Sequence, residues 1–480
     1  MWFDPFVASF ADDPYPAYRR LRDQTPVYIS PTSSGDLYVL SRHEDVHSAL
    51  NDWARFSSVS PDCSPSATHG NQLIQTDPPY HDRLRALVKQ PFSPRRIKGL
   101  TETVRTAAAS LVRRVPETDT LDIAAEFAWP LTVKIASDLV GVPEADRASV
   151  LSWYIDYRYS GEPSSAAGSL LCYREYFDDL ASRRLARPET DLVSELMQAH
   201  QLGLISRGDA VVMAIDLFEG AIDVPANLLG NAVVALVDRA DQRALLSRDD
   251  LDPTSLRVAV EELARFDAPI QHLPRCTSEP IRIHDTEIPA GSLVRLLLGS
   301  ANRDERQHHD PDRLDLTRPP VRNVAFGAGV HFCIGAPLAR LVTTVAIPEL
   351  LSAIPDYRLA LPVVRPRGDD SMRAILNLRI EPMLVHRRRS AARQHEPPDD
   401  AAMPAATTAH TESLRVVVDL IRCEGHGQCV LAAPEVFRLD AGLGVGLIAP
   451  IPECFVRDIE RAAILCPTQA ISVQDIARQG

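Results

Sequence analysis

The sequence predicts a mainly α-helical domain with minor β sheets, followed by a small α+β unit. Three observations carry this prediction. Segments 211–237, 255–266 and 337–351 place apolar residues at i, i+3 and i+4, the spacing of one helix face. Strand-like alternation is confined to short pieces at 37–40, 281–283 and 292–298. The composition then breaks after Val385: 386–413 turns rich in Ala, Pro, Asp and Thr and loses any sustained apolar period.

At 480 residues the chain is long enough for two or more domains and a large core. The first informative element in chain order is Asp77-Pro-Pro-Tyr-His-Asp-Arg-Leu-Arg85. Two prolines pre-set the first turn of a helix, so His81 and Arg85, four apart, point in one direction. Segment 211–237 is apolar yet carries Asp216, Glu219 and Asp223, which marks a buried core helix rather than a membrane span. Pro225 inside it lacks a backbone N–H and predicts a kink. On 255–266, Glu262 and Arg265 share one face at i and i+3, an ion-pair spacing. The loop Phe326-Gly-Ala-Gly-Val-His-Phe-Cys-Ile-Gly335 follows. Its glycines let the backbone turn tightly and approach a flat ligand closely. Cys333 opens onto an apolar helix, whose positive end favours the thiolate, the form that binds a metal.

Beyond the break, the expected boundaries are a first domain at 1–388, a flexible linker at 389–412 and a second domain at 413–480. A flexible linker of that length spans roughly 27 Å r.m.s.. Strands are expected at 414–420, 437–439, 446–448 and 470–473, with helices at 429–434 and 452–465. Cys423-Glu-Gly-His-Gly-Gln-Cys429 and Cys466-Pro467 lie in this unit. A cubane held by one loop takes three cysteines two residues apart plus a distant one before proline. Here the middle position is His426, leaving three thiolates for three irons, so a [3Fe–4S] cluster is the leading reading. A [4Fe–4S] cluster with His426 on the fourth iron is the first alternative. Zinc held by the three cysteines and His426 is the second.

The net charge of −13 argues against a nucleic-acid partner, which needs a basic surface. The N-terminus lacks a basic start and an apolar run, and eight cysteines in such a chain suggest metal ligation rather than a disulfide framework. A cytoplasmic protein without a membrane partner is therefore expected. No nicotinamide or flavin fingerprint is visible.

The run 326–335 resembles the haem-binding loop of the cytochrome P450 family, with every motif position matched, and the second domain resembles the small ferredoxins that serve bacterial P450 enzymes. The resemblance implies heme b with Cys333 as axial iron ligand in a loop bounded by Phe326 and Gly335. It assigns the propionates to His81, Arg85, Arg275 and His331, and makes Glu262–Arg265 a buried pair bracing the haem core. Segment 215–231 is similar to the long helix that crosses over the haem. In that alignment Gly220 makes room for dioxygen and Asp223 is the acid of the proton relay. The following position usually holds a threonine whose hydroxyl bonds dioxygen; here it is Val224, which has neither donor nor acceptor. Proton delivery then falls to water held by Asp223 or Asn227, or to a substrate hydroxyl.

The implied function is a haem-thiolate monooxygenase acting on a small organic molecule and O2. Electrons pass from an external NAD(P)H-dependent ferredoxin reductase through the fused ferredoxin domain. Alternatives are an oxidative coupling, demethylation or rearrangement, or a haem-based sensor or electron carrier.

Overall fold

The computed structural model describes residues 10, 12–32, 35–59, 72–113, 120–247, 252–366 and 371–383 of the first domain. Of the second region it describes 406–410, 414–419, 423, 428–433, 435–440, 444–448, 451, 455–466 and 470–475. His426 and residues 389–405 of the expected linker lie outside the described residues.

The elements that position the site are helices α1 (Tyr80–Val88), α2 (Arg147–Tyr159), α3 (Pro163–Ala186), α4 (Arg207–Leu236), α5 (Pro253–Phe266) and α6 (Ala336–Ala353). Strands β1 (Val27–Thr32), β2 (Gly35–Leu40), β3 (Phe56–Ser57), β4 (Leu273–Thr277) and β5 (Leu293–Leu296) form one sheet in the order β1-β2-β5-β4-β3. Its parallel pair, β2 with β5, registers Leu37 against Leu293. The α prediction holds because the long apolar segments have no way to bury their surface except around one another.

Helix α4 is the centre of that packing. It is buried around most of its circumference, as a helix apolar on nearly every side must be. Ser206 caps its first turn by accepting from the Asp209 amide. The α-helix continues through Pro225. Helix α5 begins at Pro253, two residues before the expected segment, because Asp252 accepts from the amides of Thr254 at 2.8 Å and Ser255 at 3.1 Å. Among the described residues α6 alone is long and apolar enough to cross a membrane, and it packs against α4 and helix Thr101–Arg113.

In the second region, β6 (Ala406–His410), β7 (Leu414–Asp419) and β10 (Ile471–Asp475) form an antiparallel sheet in that order, and β8 (Phe437–Asp440) pairs with β9 (Gly444–Leu447). Helices α7 (Gln428–Ala432) and α8 (Val456–Leu465) pack on each other. β6 lies in the stretch read as linker. It pairs His410 with Arg415 and Ala406 with Asp419, so ordered structure begins before 413. Val416, Val418, Phe437, Ile459 and Ala462 close a separate small core.

Candidate functional site

One cavity of about 250 Å³ lies between α4 and the cysteine loop. On α4, Met213, Asp216, Leu217, Gly220, Ala221, Val224 and Pro225 line it, one stripe at three- and four-residue spacing. Facing them are His81, Arg85, Phe326, His331, Cys333 and Gly335. Residues about 250 positions apart thus line one cavity.

Local geometry holds the loop. Gly327 and Gly329 adopt left-handed backbone (φ +73° and +68°), and a Cβ on Gly329 would meet the Leu50 carbonyl oxygen at 2.5 Å. The Cys333 amide donates to the Phe326 carbonyl at 2.9 Å, closing the turn. The amides of Gly335 and Ala336 point at Cys333 Sγ. Burial pushes the Cys333 thiol up, and those amides, with Arg85 and Arg340, pull it back.

The four expected propionate partners cluster, but not all as cations. The His81 and His331 rings lie 4.4 Å apart, and burial lowers both, His331 to about 4, so both are neutral at pH 7. His331 Nε2 meets Ser58 Oγ at 3.0 Å, whereas His81 Nε2 is buried without a partner. Arg275 is buried, does not line the cavity, is lowered by burial to about 10, acts on His331 through its charge, and donates to the Pro274 carbonyl at 2.8 Å. Two guanidiniums and two neutral imidazoles, one with an unused ring nitrogen, fit a buried dianionic edge. Together with a thiol supported by amides opposite an apolar helix face, these residues fit a haem.

Asp223 and Asn227 do not line this cavity, which corrects the expectation that they hold water beside Val224. Asp223 accepts from Tyr154 at 2.6 Å, Tyr159 at 2.7 Å and Asn227 Nδ2 at 2.6 Å. Asn227 Oδ1 accepts from the Ile375 amide at 2.7 Å. Tyr154 and Tyr159 on α2, which no periodicity could assign, turn Asp223 into the protein, and Asn227 is held by Asp223 and the Ile375 amide. Tyr154 and Tyr157 pack on Tyr173 of α3, Trp153 on Tyr176 of α3 and Tyr159 on Tyr154, and none of the four lines the cavity.

Glu262 and Arg265 are each 3% exposed and form a two-pronged pair at 2.7 and 2.9 Å. Arg265 Nη1 also donates to the carbonyls of Asn302 and Pro311. Asn302 Oδ1 accepts from the Val324 amide, and the Gly327 amide donates to the Val324 carbonyl. The pair is thus wired into the start of the cysteine loop.

In the second region Cys423, Cys429 and Cys466 share one small core. Cys466 Sγ accepts from the Ala470 amide at 3.3 Å. Cys429 is pushed far up, first by burial and then by the other two thiols. Among the described residues no group of three stands at the spacing of ligands to a single ion. Three thiols close enough to raise one another fit the positive charge of an iron–sulfur cluster, which would relieve that repulsion. Helix α7, bearing Cys429, packs against α5. Arg257 on α5 feels Cys429, Glu261 and Arg340, and Arg340, 4.4 Å above the Phe326 ring, feels Cys333.

Relatives with this architecture decide the family. Vitamin D(3) 25-hydroxylase of Pseudonocardia autotrophica is 35% identical over 370 residues, covering 75% of this chain and 90% of that protein. The chain belongs to the cytochrome P450 family. This P450 is also 33% identical over 363 residues to the cytochrome P450 monooxygenase PikC of Streptomyces venezuelae, covering 73% of this chain and 86% of PikC. The tirandamycin C-bound P450 monooxygenase TamI superposes with a TM-score of 0.72 at 31% identity, covering 78% of this chain and 99% of that one. The Cytochrome P450 family model matches residues 251–365, and a model described as a 4Fe-4S single cluster domain matches 416–473. The protein is a P450 monooxygenase, which implies a haem, and its C-terminal ferredoxin-like domain implies an iron–sulfur cluster.

Proposed function

We propose that this P450 oxidises a small organic molecule of specialised metabolism with electrons relayed through its own C-terminal domain from a separate NAD(P)H-dependent reductase. The carrying observation is the pair of sulfur sites on one chain, with α7 packed on α5 and the Arg257–Glu261–Arg340 series between them. When bound, a haem held by a thiolate supplies the electron density that favours O–O cleavage. Cys333 holds the metal side, with the Gly335 and Ala336 amides stabilising its negative charge. His81, Arg85, Arg275 and His331 orient the acidic edge. Gly220 and Ala221 leave space opposite Cys333, and apolar residues exclude bulk water.

Val224 supplies no hydroxyl in this space, and Asp223 is engaged by two tyrosines. Proton supply therefore rests on water within the cavity or on a substrate hydroxyl. The same observation favours, as a second reading, an oxidation that ends in coupling, demethylation or rearrangement. Tethering fixes the donor at an effective concentration of about millimolar for a flexible linker. Three thiols support the [3Fe–4S] form.

The test is turnover by the purified full chain with a reductase and NAD(P)H, no other ferredoxin being present. Product is expected from the native chain and none from Cys423→Ala, whose reduced carbon monoxide spectrum stays normal. Equal product from both would refute the tethered donor. An electron-spin signal in the oxidised chain beyond that of the ferric haem, vanishing on reduction, supports [3Fe–4S]; a cluster silent when oxidised and paramagnetic when reduced points to [4Fe–4S].

A further inference from the structure

Helix α4 carries three acids at 216, 219 and 223, Asp223 buried and the other two half-buried, and the fold treats them differently. Glu219 accepts from Tyr157, and Asp223 accepts from Tyr154, Tyr159 and Asn227. Both are served by side chains on the far side of α4 from the cysteine loop. Asp216 instead faces the cavity. Its Oδ1 accepts from Gln72 Nε2 at 3.0 Å, and its Oδ2 is buried with no hydrogen-bond partner.

The surroundings give that oxygen nothing to pair with. Leu73, Ile74, Met213, Leu217 and Ile270 make the neighbouring cavity wall apolar. The cations of the cavity sit with the cysteine loop, where the haem edge claims them. Burial, then the nearby Glu219, holds the Asp216 carboxyl well above the usual range, and only Gln72 opposes this. A buried carboxyl without a counter-charge is unfavourable unless something brings one. Along α4, Asp216 lies about 6 Å from Gly220 and about 12 Å from Val224 by helix rise. One small molecule can therefore reach both Asp216 and the space opposite Cys333.

We propose that the substrate is an otherwise apolar molecule carrying a protonated amine, and that Asp216 Oδ2 is its anchor, setting which carbon lies opposite Cys333. The inference rests on the monooxygenase reading and adds the substrate's chemical class to it. A neutral hydroxyl would supply a hydrogen bond but no counter-charge, so the carboxyl would stay protonated. A protonated amine supplies both.

The experiment uses the full-length, haem-loaded chain at pH 7 and two probes of equal apolar length, N,N-dimethyldodecylamine and 1-dodecanol. Affinities are read by calorimetry and by the Soret shift. The native protein is expected to bind the amine at least about tenfold more tightly, about 1.4 kcal/mol, with a blue Soret shift. Asp216→Asn is expected to abolish that preference while changing dodecanol affinity less than about twofold, and Asp216→Glu to retain part of it. The proposal is overturned if the native chain binds the alcohol as tightly as the amine. It is equally overturned if Asp216→Asn weakens both probes alike, or if the amine gives a red shift and a preference that survives the substitution, since its nitrogen would then go to iron. A normal reduced carbon monoxide spectrum in every variant shows that the haem site is intact. Its absence from the native chain would instead refute the monooxygenase reading itself.

Discussion

Replacing Glu262 with leucine tests how the buried ion pair supports the cysteine loop. Glu262 Oε1 accepts from Arg265 Nη2 at 2.9 Å, Arg318 Nε at 3.0 Å and the Asp315 amide at 3.1 Å, and Oε2 accepts from Arg265 Nε at 2.7 Å. Leucine fills similar space but strands the Arg265 guanidinium, which is 3% exposed. Removing one partner of a buried pair costs about 3–5 kcal/mol, because the remaining charge is neither solvated nor paired. Arg318 is partly exposed and still donates to the carbonyls of Asp310 and Arg313, so its loss adds little.

In a domain of this size the penalty lowers the melting temperature by about 4–6 °C. Because Arg265 reaches the loop through Asn302 and Val324, the Soret band is expected to bleach together with the far-ultraviolet helical signal rather than after it. The double variant Glu262→Leu/Arg265→Leu removes the stranded charge and is expected to recover at least about 1 kcal/mol relative to Glu262→Leu alone. A Glu262→Leu chain that melts within one degree of the native protein would refute the reasoning. So would a double variant less stable by the full sum of the two single losses.

Further outcomes follow from the site. Arg257→Ala is expected to slow reductase-driven haem reduction about tenfold, judging by the weight of charge contacts at docking surfaces, without altering the reduced carbon monoxide spectrum; stopped-flow absorbance checks it. Val224→Thr places a hydroxyl in the cavity and is expected to raise product formed per NAD(P)H consumed and to lower peroxide release. Glu219 is raised by burial to about 7 from 4.5, so it favours the folded state below pH 4.5, and that contribution is lost as pH rises through 7. Urea unfolding of Glu219→Gln is therefore expected to show a smaller fall in stability between pH 4.5 and 7 than the native chain shows.

The sequence alone determined the elements whose signal is local. The apolar periodicity over 255–266 marks α5, the apolar run builds α4, and the glycine spacing before Cys333 forms the loop, because periodicity and positive φ depend on residues a few positions apart. The cysteine spacing at 423, 429 and 466 likewise named a cluster before any core was seen. Tertiary structure decided what depends on direction. Whether Asp216, Glu219 or Asp223 faces the cavity is fixed by which tyrosines of α2 stand behind α4, and a helix apolar on nearly every side carries no mark of which face those will cover. The strand at 406–410 was equally illegible, since an Ala- and Thr-rich segment becomes a strand only when β7 offers its edge hydrogen bonds.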